Sequence, residues 1–238
     1  MKEELMGDHC TFLVNTRISR AEAPAAALGI YRQLVQGGVI VPGLKKEISI
    51  SGQPFAIRQD YKGFDDLYRW SDERSRRTWP DLVFHHGVNA IEIEVTGYVW
   101  HNGLNGEPEL RPAADGEYLG GLFFEMEGGF SLNCPCCGDR VSLGQGGDQD
   151  DALTDALNSW CVDPESARLR CYACNEERSL RDWRSEDQQF AVGHLAVTFW
   201  DEHLLALAQA PDLDVARFFR ELAGGTTDVD PAVVFRNI

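Results

Sequence analysis

Long apolar runs are missing from this chain of 238 residues. No stretch approaches the roughly 18 consecutive apolar residues that a membrane-spanning helix needs. The opening Met1-Lys2-Glu3-Glu4 leads into no apolar core of the kind a secretory signal carries, so the expected compartment is the cytoplasm. Positive charge is also in short supply: 22 basic residues stand against 38 acidic ones, a formal charge of −16. A surface of that sign repels a phosphate backbone, whose binding normally comes from lysine and arginine displacing counterions, so nucleic acid is disfavoured as a partner. Solubility accounts for the acidity in bulk. A sharper expectation is a basic protein partner, met by fast, salt-sensitive association.

Short catalytic signatures are absent as well. The sequence has no nucleophile elbow, phosphate loop, dinucleotide fingerprint or H-E-x-x-H pair. Gly144-Gln-Gly-Gly147 is glycine-rich, but Asp148, Asp150 and Asp151 follow it and would repel a phosphate. It reads as a flexible connection, and the aspartates lack EF-hand spacing. An even cysteine count is missing too, since seven cysteines fit a disulfide framework poorly.

What is present is an ordinary globular composition, 43% hydrophobic and 25% charged, in a chain long enough to bury a core without help from a metal. Thr11-Phe12-Leu13-Val14 predicts a buried strand. Pro24 opens an alanine-rich helix that stops at Gly37-Gly38. Ile48 and Ile50, then Phe55 and Ile57 beyond Gly52, predict a hairpin or bent strand. Residues 64–77 read as a second helix, with Leu67 and Trp70 inward and Arg69, Arg74, Arg76 and Arg77 on a solvated face. From Leu82 to Met126 the pattern turns β. Ile91-Glu92-Ile93-Glu94-Val95 alternates with period two, which predicts isoleucines in the core and glutamates toward solvent. Leu122 to Met126 is a further strand, and the two Asn-Gly pairs of residues 101–106 mark a loop. Leu195 to Trp200 is strand-like, and Asp212 or Asp214 can cap a last helix ending at Gly224-Gly225. The fold class expected is α+β: a layered, mostly antiparallel sheet with helices. Residues 1–128 and 188–238 would form the main domain, with 129–187 as an insertion.

That insertion holds the strongest pattern in the chain. Phe130-Ser-Leu-Asn leads into Cys134-Pro-Cys-Cys137-Gly138, and Ala167-Arg-Leu-Arg leads into Cys171-Tyr-Ala-Cys174-Asn175. Two residues between cysteines let both sulfurs face one ion, and two such turns supply the tetrahedral set that zinc takes. In a reducing compartment this spacing favours metal over disulfide. Gly138 and Asn175 tolerate positive φ, which closes each turn and aims backbone N–H groups at the thiolates. Over residues 130–180 the arrangement resembles the zinc-ribbon family. The resemblance implies one structural zinc held by Cys134, Cys137, Cys171 and Cys174. It departs from the compact form in the 33 residues between the pairs, where Asp151 to Trp160 predicts a short amphipathic helix. Four cysteines leave no open coordination position, so the ion would hold structure rather than do chemistry. Cys136 reads as a bystander, and no role is assigned to Cys161. Cys10 beside His9 resembles a Cys–His pair only in composition.

Two functions follow as expectations. One is a non-enzymatic, acidic protein-binding protein of adaptor or immunity type, stabilised by zinc. The other is an enzyme whose site is assembled from scattered residues, with His86, His101, Glu92 and Glu94 the candidates. Adjacent His85 and His86 on a strand would point to opposite faces, so only one could serve.

Overall fold

The computed structural model describes residues 9–44, 53–60, 90–114, 121–124, 130–143, 148–185, 189–200 and 232–237. The expected helices over 64–77 and 215–222 lie outside them, as do Ile48, Ile50, His85, His86 and residues 144–147.

Among the described residues the chain is α+β, and every strand pairing is antiparallel. Strand β1 (His9–Asn15) and helix α1 (Ala23–Gln36) come first. Asn15 turns the chain between them, its Oδ1 accepting the N–H groups of Arg17 and Ile18. Ser19 and Glu22 then exchange bonds in a reciprocal capping box, Ser19 Oγ donating to Glu22 Oε2 at 2.6 Å. Strands β2 (Gln53–Ala56) and β3 (Ala90–Val95) follow, then the hairpin of β4 (Tyr98–Asn102) and β5 (Pro108–Pro112). His101 and Asn102 belong to β4, so the expected loop is confined to the tip, closed by the Gly103 N–H donating to the Glu107 carbonyl at 2.8 Å. Next come β6 (Leu122–Phe124), β7 (Phe130–Asn133), β8 (Arg140–Leu143), α2 (Asp148–Val162), β9 (Arg168–Arg170) and β10 (Glu177–Ser179). Strands β11 (Phe190–Val192), β12 (Leu195–Trp200) and β13 (Ala232–Asn237) complete the order.

The central sheet runs β13-β1-β12-β3-β2. Its strands alternate between two covered faces. Leu13, Ile91, Ile93, Val95, Leu195, Val197 and Phe199 turn toward α1 and pack with Ala27, Ile30 and Leu34. Phe55 packs against Tyr31, tilted, and edge-on against Trp100, at centroid distances of 5.1 and 5.3 Å, and the Trp100 Nε1–H donates to the Ile93 carbonyl at 2.8 Å. Burying each of Phe55, Ile91 and Ile93 contributes about 1.5–3 kcal/mol. On the opposite face Cys10, Phe12, Val14, Ala196 and Val234 meet Phe123 and Ala191 from the small β6–β11 ladder.

A third core lies under the cysteine pairs. It joins Leu132, Leu153, Ala156, Trp160, Leu169, Leu180 and Trp183 to Phe190 and Val192. Trp160 and Trp183 are among the largest fully buried side chains. The predicted helix is therefore present as α2, three residues longer at its start, with Leu153, Ala156 and Trp160 as its buried stripe.

Gly121 is closely surrounded by Gly193, Thr96 and Trp160. Its φ is +85°, and a Cβ there would lie 2.5 Å from both the Gly193 carbonyl oxygen and Thr96 Oγ1, and 3.2 Å from Trp160 Nε1. Gly121→Ala should therefore destabilise the protein by roughly 2 kcal/mol or more, through both backbone strain and clash with a carbonyl that cannot retreat. Chemical denaturation of the variant at unchanged m-value is the check, and a loss below about 0.5 kcal/mol would count against this packing.

Candidate metal centre

The two cysteine pairs sit in hairpins of identical build. In the first, β7 pairs with β8 so that Asn133 faces Arg140; in the second, β9 pairs with β10 so that Arg170 faces Glu177. Cys134 N–H donates to the Asp139 carbonyl at 2.9 Å, and Gly138 N–H returns to the Cys134 carbonyl at 2.9 Å. The counterparts are Cys171 to Glu176 and Asn175 to Cys171, each at 2.8 Å. Both turns close through a left-handed residue, Gly138 at φ 74° and Asn175 at φ 63°. Asn175 is the only non-glycine residue with positive φ among those described, and the Arg170 guanidinium donates to its side-chain oxygen.

These turns bring the four sulfurs together. All lie within 4.8 Å of one another. Cys134 Sγ is 3.8 Å from Cys174 Sγ, and Cys137 Sγ is 3.8 Å from Cys171 Sγ. A tetrahedron with metal–sulfur bonds of about 2.3 Å has edges of about 3.8 Å, so both cross-hairpin distances already match a bound ion. Cys136 N–H donates to Cys134 Sγ at 3.4 Å. Burial alone would raise the Cys134 thiol, but the N–H groups of Cys137 and Cys136 and the neighbouring thiols outweigh it and bring it to about 7. For Cys174 the Glu176 N–H favours the thiolate, yet burial and the three adjacent sulfurs prevail and push it up to about 12. Four sulfurs so close cannot all ionise unless a cation joins them. The set is a candidate metal centre with soft donors.

Cys134 and Cys171 are buried in the third core, while Cys137 and Cys174 are more open. Cys136 lies outside the cluster, exposed, with Arg178 Nη2 at 3.9 Å. Burial pushes the half-buried Cys161 thiol up, and Cys10 is enclosed in the central sheet.

The other sequence candidates separate. His86 lies outside the described residues, and His101 is exposed on the β4–β5 hairpin. Glu92 and Glu94 overturn the expectation of a solvent-facing edge. Glu92 is 3% exposed, and burial pushes the Glu94 carboxyl up to about 8 against the pull of the Gly121 N–H, with Glu92 adding repulsion. Gly121 N–H donates to Glu94 Oε1 at 2.6 Å. The reason is a second layer on that face: the segment leading into β6 reaches Glu94 through the Gly121 N–H, and Phe123 and Ala191 of the β6–β11 ladder pack on the neighbouring strands.

One polar cluster carried no sequence signal. His194, fully buried, stacks on Trp160 at 5.3 Å and meets Glu165 Oε1 through Nε2 at 3.1 Å. Arg181 reaches the same carboxylate at 3.4 Å, and its Nε and Nη2 donate to the Thr16 and Ile18 carbonyls at 2.8 and 3.1 Å. These bonds tie the cysteine hairpins to the β1–α1 turn. A lone histidine between glycine and an apolar run has no pattern that would single it out.

No helix among the described residues is long and apolar enough to cross a membrane. Comparison with protein-family models, with curated proteins and with solved structures found no match to the chain.

Proposed function

We propose that Cys134, Cys137, Cys171 and Cys174 hold one structural zinc ion, fastening a ribbon-like insertion onto the antiparallel domain of a non-enzymatic, acidic protein-binding protein. The observation that carries the metal is the pair of 3.8 Å sulfur–sulfur distances across two equivalent turns. Zinc is preferred because four thiolates form a closed, tetrahedral, soft set. The binding role is supported by the charge of −16 and by α2, whose Asp148, Asp151 and Asp155 are exposed and whose last turn carries no basic residue. Such a face suits a basic protein partner and a cytoplasmic setting, as an adaptor or an immunity-type protein would require.

Affinity capture from native lysate at low and high salt tests the role. A basic protein should be retained at about 50 mM salt and released several-fold more readily at about 500 mM, where exposed charges are screened beyond a few ångströms. Capture that is indifferent to salt, or to reversal of the α2 aspartates, would sink the charge-steered reading.

A second reading has one observation in its favour. The enzyme alternative named Glu92 and Glu94; Glu92 is buried and Glu94 half-buried, with the Glu94 carboxyl pushed into the range where a group exchanges protons near neutral pH.

A further inference from the structure

We infer that His194, Glu165 and Arg181 form an acid-sensitive latch, which holds the cysteine hairpins on the β1–α1 turn near neutral pH and loosens them in mild acid. This goes beyond the zinc and protein-binding readings and rests on neither.

The latch joins three parts of the chain. His194 lies between β11 and β12, Glu165 between α2 and β9, and Arg181 in the turn after β10. Glu165 Oε1 is the shared point, 3.1 Å from His194 Nε2 and 3.4 Å from Arg181 Nη1. Arg181 carries the link onward to the Thr16 and Ile18 carbonyls, and Arg184 Nη2 adds a bond to Thr16 Oγ1 at 3.1 Å. A carboxylate only accepts, so the single proton of a neutral His194 sits on Nε2. Nδ1 is then a bare lone pair, buried and without a partner.

A second proton finds no acceptor at Nδ1 and would leave a buried, unsatisfied N–H. Burial disfavours charge on the ring, and Arg181 and Arg20 repel it. Among the described residues, α2 presents only Trp160 to the ring, stacked at 5.3 Å, and the β3–β4 turn presents the Thr96 N–H to the His194 carbonyl at 3.1 Å; neither titrates. Glu165 is the one counter-charge, and it is 62% exposed and shared with Arg181. Burial outweighs its pull, so the ring takes its second proton less readily than an ordinary histidine near 6.5. Nor can the ring swing out alone. The Thr96 N–H pins its carbonyl, and a Cβ on the preceding Gly193 would lie 2.6 Å from the Asn15 carbonyl oxygen. Glu165, on an exposed link, is the partner able to withdraw. The docked arrangement therefore favours the neutral ring: its contribution is complete above about pH 6.5 and is lost as pH falls from there toward the lowered value.

Hydrogen exchange of the full chain at about pH 7.5 and about pH 5.5 tests the latch, with metal content read in the same samples. At the lower pH an ordinary histidine is about ten parts charged to one, which bounds the effect. Protection across residues 163–170 and 179–184, corrected for intrinsic exchange, should fall about three- to tenfold while metal content holds. Glu94 titrates with the opposite sign, so His194→Gln is the reference at each pH. Glutamine can donate to Glu165 but has no second proton to take, and its protection should change less than about twofold. Should that variant fail to fold, the His194 ring decides, followed by nuclear magnetic resonance in the parent. Its midpoint should lie below about 6.5 and coincide with the loss of protection. Equal protection at both pH values, a loss shared by His194→Gln, a loss that tracks release of metal, or a ring midpoint at or above about 6.5 overturns the inference.

Discussion

Replacing Cys171 with serine should empty the cysteine centre and unfold the hairpins built around it. Cys171 is fully buried and shares a core with Trp160, Leu180 and Trp183, so the loss is felt as missing metal and as damaged packing. Zinc in structural sites of small domains contributes about 10–16 kcal/mol of apparent binding energy, which is folding energy where no preformed site exists. Whole-domain stabilities are only about 5–15 kcal/mol. The expected result is zinc falling from one per chain to none, with protease sensitivity gained within residues 130–185. Cys136→Ser is the matched control. Its sulfur lies outside the four-sulfur cluster and faces Arg178 at the surface, so zinc and melting temperature should stay near the parent values. Elemental analysis and thermal melts of both variants suffice. A Cys171→Ser protein that keeps its zinc and melts with the parent would falsify the assignment.

The second large effect concerns Glu94 and pH. Its carboxyl is raised from 4.5 to about 8, with burial the largest cause. A raised acid binds its proton more tightly in the folded state than in the unfolded one. The stability this contributes is therefore present at and below about pH 4.5, falls as pH climbs, and is fully lost above about pH 8. At about 1.4 kcal/mol per unit, discounted because the residue is partly exposed, the total is on the order of 3 kcal/mol. Glu94→Gln has no proton to lose, and its amide oxygen can still accept the Gly121 N–H. Near pH 8.5 the variant should be more stable than the parent by that amount, with little difference near pH 4.5. Urea denaturation across this range is the measurement. Curves that stay parallel would show that Glu94 is not held neutral by burial.

Much of this was legible in the sequence because local chemistry determined it. The C-x-x-C spacing and the residues after it foretold both hairpin turns, down to the positive φ of Gly138 and Asn175. Pro24 and Gly37-Gly38 bracketed α1, and the amphipathic pattern from Asp151 to Trp160 marked α2. The glutamates of β3 were misplaced because alternation reports which face is apolar, not whether the other face is wet. That depends on what packs over the face, here Gly121 and the β6–β11 ladder, a long-range property. A hint did exist in β1 and β12, whose apolar runs, each interrupted only by a threonine at Thr11 and Thr198, indicate burial on both faces and whose sheet β3 extends. His194, Glu165 and Arg181 were invisible because they meet only after the cysteine hairpins dock on the β1–α1 turn.

The two matched hairpins also bear on how much the segment between them can vary. Each supplies half of a clasp, and the 33 residues from Gly138 to Arg170 form the ring that the clasp closes. Ring closure grows only logarithmically with length, so doubling the interval would add about 0.6 kcal/mol of entropy to overcome. The tolerance is therefore set by the buried stripe of α2 and by Glu165, not by the reach of the chain. Extra residues outside those contacts could lengthen the ring at little energetic penalty, making this interval the part of the molecule freest to acquire new surface.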